Sequence, residues 1–136
     1  MDKALFDYGR KILAAQPFSV LLGTELVAFE PGRAELALDV KPEHLQQHGF
    51  VHGGVVSYLA DNALTYAGGS VLGDAVTLEF KINYLRPAKG SRLVARARVT
   101  GAGKTQAVCQ CDVVAVDEAG VEKLCAAAQG TIWKAG

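Results

Sequence analysis

A glycine turn and a long apolar segment stand at the centre of the chain: His48-Gly49-Phe50-Val51-His52-Gly53-Gly54, then Val55-Val56-Ser57-Tyr58-Leu59-Ala60-Asp61-Asn62-Ala63-Leu64-Thr65-Tyr66-Ala67. The pattern predicts a helix over about 53–69 that is apolar almost all the way round. Such a helix is buried, and a buried acid is costly unless it is paired, hydrogen-bonded or used in a reaction. Asp61 is therefore the first candidate for chemistry.

The polar residues of this helix form a single stripe. Ser57, Asp61 and Thr65 recur every four residues, which places them on one face, and no cation lies one turn from Asp61. The carboxylate therefore has no ion-pair partner within its own helix. Neighbouring hydroxyls and amides could satisfy it, but we favour the interpretation that it acts chemically.

The rest of the sequence predicts an α+β fold in one domain, residues 1–136. Asp2 can cap a helix over 1–16 that Pro17 stops, and this helix would be a lid or a packing element. A hairpin precedes the central helix and four long strand candidates follow it; the predicted strands are 26–29, 33–40, 75–85, 92–100, 104–116 and 122–134. One apolar helix followed by an antiparallel meander indicates a curved sheet wrapped around that helix.

Alternation within the strand that follows the helix predicts its inner face. The apolar residues at every second position would share that face: Val76, Leu78, Phe80, Ile82 and Tyr84. Turn residues at 87–90, 101–103 and 117–120 separate the later strands.

Two motifs together resemble a known family. The spacing His52-Gly53-Gly54 with Asp61 seven residues after Gly54, followed by a strand ending Asn83-Tyr84-Leu85-Arg86-Pro87-Ala88, resembles the hotdog-fold thioesterases of the phenylacetic-acid-degradation (PaaI) type. The resemblance extends from about residue 36 to 133. It implies hydrolysis of acyl-coenzyme A (acyl-CoA) thioesters, without metal or redox cofactor, by a homotetramer built as a dimer of dimers.

The distance between Gly53 and Asp61 along the helix indicates that the expected site lies between two subunits. Asp61 lies eight residues after Gly53, which is ~12 Å along the axis at ~1.5 Å per residue. A thioester carbonyl that accepts from the Gly53 N–H at the positive helix end could thus be reached only by Asp61 of another copy. The resemblance implies that the central helices of two subunits pair in antiparallel orientation, which would allow this contact. Asp61 would attack the carbonyl carbon or activate water.

Three further residues are catalytic candidates through the resemblance. The family has Asn six residues before the motif His, where this chain has Gln46; it would contact the thioester carbonyl, or it is an ordinary loop glutamine. Thr77 stands where relatives carry a hydroxyl that orients water, although Thr is also a good strand former. His52 borders the thioester and would hold the loop or polarise the carbonyl.

Two groups of residues are expected to contact the substrate. The candidates near the reacting group are Gly54, Phe50, Tyr58 and Asn62, and the candidates for the CoA phosphates are Arg86, Lys89 and Lys104. Core packing explains the aromatic residues equally well, and solvated surface charge explains each cation taken singly. The acyl group stays open: Gly68 and Gly69 leave room near Asp61, and aromatic acyl groups are favoured only by family analogy.

Composition excludes several other classes of function. The formal net charge is zero and the pI is about 6.8, so neither nucleic acid nor an anionic membrane is an expected partner. No segment has the ~18 apolar residues of a membrane span, and no secretory signal is visible, so we expect a cytoplasmic protein. The three cysteines are an odd number, which disfavours a disulfide framework.

Three alternatives to a thioesterase remain. A non-catalytic acyl-CoA-binding protein could use the same pocket, although Asp61 argues against it. A hotdog hydratase or dehydratase would use a catalytic His with a differently placed acid. His44, His48 and His52 would stack as in a zinc site if they lay on one helix, but Gly49 and the Pro42 loop argue against helix there. We therefore predict no metal site.

Overall fold

A six-stranded antiparallel sheet wraps around one long helix in the computed structural model, which describes residues 2–136. The strand order is β1-β2-β4-β5-β6-β3. The helices are α1 (Lys3–Ala14), α2 (Pro17–Leu22) and α3 (Gly53–Leu72). The strands are β1 (Glu25–Glu30), β2 (Arg33–Asp39), β3 (Ala75–Tyr84), β4 (Arg92–Ala102), β5 (Gln106–Val116) and β6 (Glu122–Lys134). Met1, included in the predicted first helix, lies outside the described residues.

The central helix α3 is buried because its small and apolar side chains let the sheet approach it closely. Its fully buried side chains are Leu59, Ala60, Ala63, Leu64 and Ala67. A Cβ on Gly68 would lie 2.6 Å from the Ile132 side chain, so only glycine fits at this contact with β6. The helix continues past Gly69, where the prediction ended it, to Leu72, and it stops at Gly73 with a φ of 87°.

Strand β3 contains a bulge that corrects the predicted inner face. Thr77 pairs with Ile132 and Glu79 pairs with Thr131, which leaves Leu78 as the extra residue. Thr77 therefore faces α3, whereas Val76 and Leu78 are 52% and 61% exposed. The prediction that Val76 and Leu78 lie inside with Phe80 was wrong, because alternation carries no signal of an inserted residue.

Pro17 does not end helical structure near the N-terminus. Asp2 caps α1 as expected, accepting from the Ala4 N–H at 2.9 Å, and α1 ends at Ala14. Pro17 then occupies the first turn of the short helix α2, where its missing N–H is tolerated. The sequence analysis missed this second helix.

Helix α1 packs against β1 and α3. The Tyr66 hydroxyl donates to the Gly9 carbonyl at 2.8 Å, and a Cβ on Gly9 would lie 2.6 Å from Phe29. Among residues 2–136, no helix combines the length and the apolar character that crossing a membrane requires.

Candidate active site

Asp61 lies in a cluster of hydroxyl groups that joins α3 to β3. The Thr77 hydroxyl donates to Asp61 Oδ1 at 2.6 Å, and the hydroxyls of Thr77 and Thr65 hydrogen-bond at 2.7 Å. Thr65 Oγ1 also lies 2.9 Å from the Asp61 carbonyl oxygen. The carboxylate is half-buried. Sequence reasoning placed Thr65 only on the polar stripe; its signal was its position one helical turn after Asp61.

The start of α3 presents a backbone donor without an acceptor. His52 is the N-cap, and its Nδ1 accepts from the Gly54 N–H at 2.8 Å. The next two N–H groups, of Val55 and Val56, donate to the His52 carbonyl. The Gly53 N–H has no acceptor within residues 2–136. It therefore stands free at the positive end of the helix, where an anion or a polarised carbonyl is stabilised.

Tyr84, which the sequence analysis did not single out as a site residue, fixes this helix start to β3. Its hydroxyl donates to the Gly53 carbonyl at 2.9 Å. A Cβ on Gly53 would meet the same hydroxyl at 3.4 Å, an ordinary contact. This hydrogen bond could not be predicted from the sequence, because Tyr84 and Gly53 are 31 positions apart and no local pattern relates them.

Gln46 organises the loop in front of α3. Its Oε1 accepts from the backbone N–H groups of His48 at 2.6 Å and Phe50 at 3.2 Å. The carboxamide nitrogen has no hydrogen-bond acceptor in the described part of the chain. Gln46, Gly53 and Tyr84 line one cavity of about 530 Å³. Gln46 and Gly53 therefore border the same space.

His44 anchors the residue that caps α3. It is buried, its Nδ1 accepts from the Lys41 N–H at 3.0 Å, and its carbonyl accepts from the His52 N–H at 2.8 Å. A 3₁₀ helix over Pro42–His44 and a bridge between Leu45 and Val51 replace the regular helix that stacked imidazoles would need. Within residues 2–136, no three His, Cys, Asp or Glu side chains are grouped as metal ligands.

Tyr58 and Asn62 use their polar ends to hold α2 against α3. The Tyr58 hydroxyl donates to Ser19 Oγ at 2.6 Å and lies 2.7 Å from Thr24 Oγ1. Asn62 Nδ2 donates to Gln16 Oε1 at 3.1 Å and to Ser19 Oγ at 3.2 Å. Both were expected as substrate contacts, and in one chain they serve the packing of α2. Helix α2 was not predicted, so neither was this network.

The predicted phosphate-binding cations do not come together in one chain. Arg86 and Lys89 line a cavity of about 830 Å³, which Phe50 also borders, and Lys123 of β6 joins them there. Lys104 lies in the β4–β5 turn, just before Gln106. Gln106 and Val76 both pair with Trp133 of β6, so this turn is level with the start of β3, whereas Arg86 follows the end of β3. Ten residues of strand separate these ends by ~30 Å.

The chain matches known proteins along most of its length. The family model described as the thioesterase superfamily matches residues 48–122. Human acyl-coenzyme A thioesterase 13 is 32% identical over 117 residues, which cover 83% of this chain and 84% of that protein.

Solved structures share the fold. A thioesterase family protein from Silicibacter pomeroyi superposes with a TM-score of 0.87 at 36% identity, covering 91% of this chain and 93% of that one. The PaaI protein of Escherichia coli gives a TM-score of 0.84 at 26% identity, covering 97% and 94%. The chain belongs to the thioesterase superfamily. The predicted hotdog fold, the PaaI-type resemblance and the assignment as an enzyme are confirmed.

Proposed function

We propose that this thioesterase hydrolyses acyl-CoA thioesters in sites that two copies of the chain share. The named relatives support the substrate class, because human thioesterase 13 carries acyl-coenzyme A in its name. The observation that carries the shared site is the position of Gly53 and Asp61 on one straight helix, eight residues and ~12 Å apart. One chain therefore cannot bring its own amide and its own carboxylate to the same carbonyl.

The edge of the sheet supports pairing of two copies. Within the described chain β3 pairs only with β6, so its other edge presents open backbone groups. The apolar side chains of Val76 and Leu78 are exposed on this strand. Antiparallel pairing of two β3 edges would lay two α3 helices side by side and bring Gly53 of one copy toward Asp61 of the other. A dimer, and a dimer of dimers beyond it, follows from the resemblance.

The chemistry divides between the two copies. The thioester carbonyl oxygen accepts from the free Gly53 N–H, which stabilises the negative charge that develops when the carbon becomes tetrahedral. Gln46 lines the same cavity as Gly53, and its carboxamide nitrogen can donate a second hydrogen bond. His52 holds the turn by capping α3 through the Gly54 amide.

Asp61 of the second copy acts as nucleophile or general base. As a base it takes a proton from water, whose oxygen attacks the carbonyl carbon; the C–S bond then breaks and the thiolate of CoA takes up a proton. As a nucleophile its oxygen attacks the carbonyl carbon and the C–S bond breaks, which releases the CoA thiolate and leaves an acyl anhydride; water then hydrolyses the anhydride to the free acid and regenerates the carboxylate, and the thiolate takes up the proton released. Thr77 donates to one carboxylate oxygen and so fixes its direction in both cases. No step requires a cofactor.

The nucleotide end of CoA is assigned to the cavity beside the helix start. Arg86, Lys89 and Lys123 line that cavity together with the acidic residues Asp117 and Glu118, which leaves the cations in excess by one charge. Phe50 lines both this cavity and the space in front of Gly53. Phosphate groups are stabilised by such cations. Lys104 could join them only from a second copy, because it lies at the far end of β3 in its own chain.

Mixing two inactive variants tests the shared site. Asp61→Asn removes the carboxylate charge, and Gly53→Pro removes the amide hydrogen at a first helical position, which proline tolerates. His52, with φ −57° and ψ 134°, already has the conformation preferred before proline. Each variant alone should hydrolyse acyl-CoA on the order of 100-fold more slowly than wild type.

Co-refolding the two variants at equal amounts should restore activity. Half of the dimers are mixed and each mixed dimer has one intact site, so about a quarter of wild-type activity is expected. Gly53→Ala, which keeps the N–H, is the matched control and should remain active. Two well-folded inactive variants that recover nothing on mixing would contradict the shared geometry. Wild-type protein that binds acyl-CoA but releases no thiol would support the non-catalytic alternative.

A further inference from the structure

A separate cavity of about 340 Å³ lies between α1 and the C-terminal half of α3. Its walls come from both helices, from β1 and from the start of β3. The apolar residues Leu5, Ile12, Phe29 and Ala75 share them with polar residues that include Gln16, Asn62, Thr65 and Asp74. Phe29 and Tyr66 meet edge to face, with ring centroids 5.2 Å apart. This edge-to-face pair gives that side of the cavity an aromatic wall.

The cavity opens beside the Asp61 cluster. Thr65 lines the cavity and is hydrogen-bonded to Thr77, which in turn donates to Asp61. The hydroxyl groups of Thr65 and Thr77 therefore link the cavity to the carboxylate that faces a thioester carbonyl. An acyl group attached to that carbonyl carbon would enter the cavity past Thr65.

Packing against the sheet does not require glycine at position 69, so its presence needs another explanation. A glycine inside a helix destabilises it relative to alanine. The neighbouring Gly68 is required because a Cβ would clash with Ile132, but a Cβ on Gly69 would meet nothing within 4 Å. Gly69 lines the cavity, so the space that its missing side chain leaves is cavity space.

We propose that this cavity receives the acyl group and that Gly69 sets the longest acyl group accepted. The inference rests on the proposed function, since it takes the carbonyl to lie at Asp61. The volume corresponds to roughly eleven water-sized groups at ~30 Å³ each, and a methylene group is of similar size. The substrates are then thioesters of apolar acids of up to about ten carbons. The chain that supplies Asp61 also supplies the acyl pocket, and its partner supplies the CoA side.

A chain-length series with three variants tests the pocket. Gly69→Leu fills the cavity, and Gly69→Ala is the matched control that changes helix propensity but adds little volume. Tyr8→Ala enlarges the cavity at its rim, where Tyr8 is 54% exposed and tied by no hydrogen bond within residues 2–136. Hydrolysis is measured for straight-chain acyl-CoAs of four to sixteen carbons, with thermal unfolding of each protein alongside.

Opposite shifts in preference are expected. Gly69→Leu should lower kcat/KM for decanoyl-CoA relative to butanoyl-CoA by about tenfold or more, as expected when a pocket loses room for several methylenes. Gly69→Ala, which adds one methyl group, should shift the preference by no more than about one carbon. Tyr8→Ala should raise relative activity toward acyl groups of twelve and fourteen carbons. Folded variants that hydrolyse the series in the wild-type order would overturn the acyl pocket while leaving the proposed function intact.

A binding measurement separates the pocket from catalysis. Calorimetric titration uses the decanoyl thioether of CoA, which cannot be hydrolysed, on wild type, Gly69→Ala and Gly69→Leu. Weaker binding only to Gly69→Leu, by about tenfold, supports the pocket even if no thioester were hydrolysed. Equal binding to all three proteins, or none to wild type, would overturn it.

Discussion

Thr77 reaches Asp61 because β3 bulges at Leu78. The Thr77 hydroxyl lies 2.6 Å from Asp61 Oδ1, and Thr77 pairs with Ile132, on the face of β6 that packs against α3. Without the extra residue, Thr77 would alternate with Phe80 and point away from the helix. The bulge thus turns a hydroxyl toward a half-buried carboxylate that forms no ion pair within residues 2–136.

Removing the Thr77 hydroxyl should impair turnover. Thr77→Val keeps the shape of the side chain and deletes the donor to Asp61, so we expect kcat to fall roughly tenfold or more, the range of a hydrogen bond to a charged group. Thr77→Ser keeps the hydroxyl and should retain most activity. Steady-state kinetics with the preferred acyl-CoA, together with thermal unfolding, checks this. Equal loss in both variants would indicate a packing role for Thr77.

Removing the Asp61 charge should abolish most hydrolysis. Asp61→Asn keeps size and can still accept from Thr77, so the free energy of unfolding should change little while turnover falls by on the order of 100-fold. Asp7→Asn, an exposed position on α1, is the control with the same charge change. A folded Asp61→Asn protein with nearly full turnover would end the catalytic assignment.

Much of the fold could be predicted because its signals are local. The apolar helix, its glycine start and the alternating strands are repeated patterns within one segment, so the wrapped sheet followed from them. The bulge at Leu78 and the short helix α2 could not be predicted. A single inserted residue leaves no periodic trace, and Pro17 fits both a helix end and a helix start.

The candidate site was predictable where one residue type suggests chemistry by itself. An acid inside an apolar helix is such a case, as is a glycine that leaves backbone amides uncovered. The supporting contacts of His44, Tyr84 and Thr65 depend on where distant segments meet, so sequence spacing could not supply them. Tyr58 looked like a pocket residue because the network with Ser19 needs a helix that was not foreseen.

The buried thiols should make the protein less stable at alkaline pH. Burial raises the pKa of Cys109 to about 11 and that of Cys111 to about 12. Below the unfolded-state pKa of ~8.5 both folded and unfolded chains hold the protons; above it the unfolded chain releases them first, so stability falls until the pH passes the folded pKa. Cys109→Ala should flatten this decline between about pH 9 and 11 in urea unfolding. Parallel curves for variant and wild type would contradict the prediction.

The proposed function assigns different tasks to the oxygen and the nitrogen of the Gln46 carboxamide, and one substitution distinguishes them. Its oxygen accepts from the amides of His48 and Phe50, whereas its nitrogen has no hydrogen-bond acceptor within residues 2–136, and Gln46 lines the same cavity as Gly53. Gln46→Glu keeps an acceptor for the loop, removes the donor and adds negative charge beside the position proposed for the oxyanion. We expect kcat/KM to fall on the order of 100-fold with little change in thermal stability. Gln47→Glu makes the same charge change at the exposed neighbouring position and should stay close to wild type. If Gln46 is an ordinary loop glutamine, the two variants should behave alike, and equal kinetics in the two would remove Gln46 from the reaction.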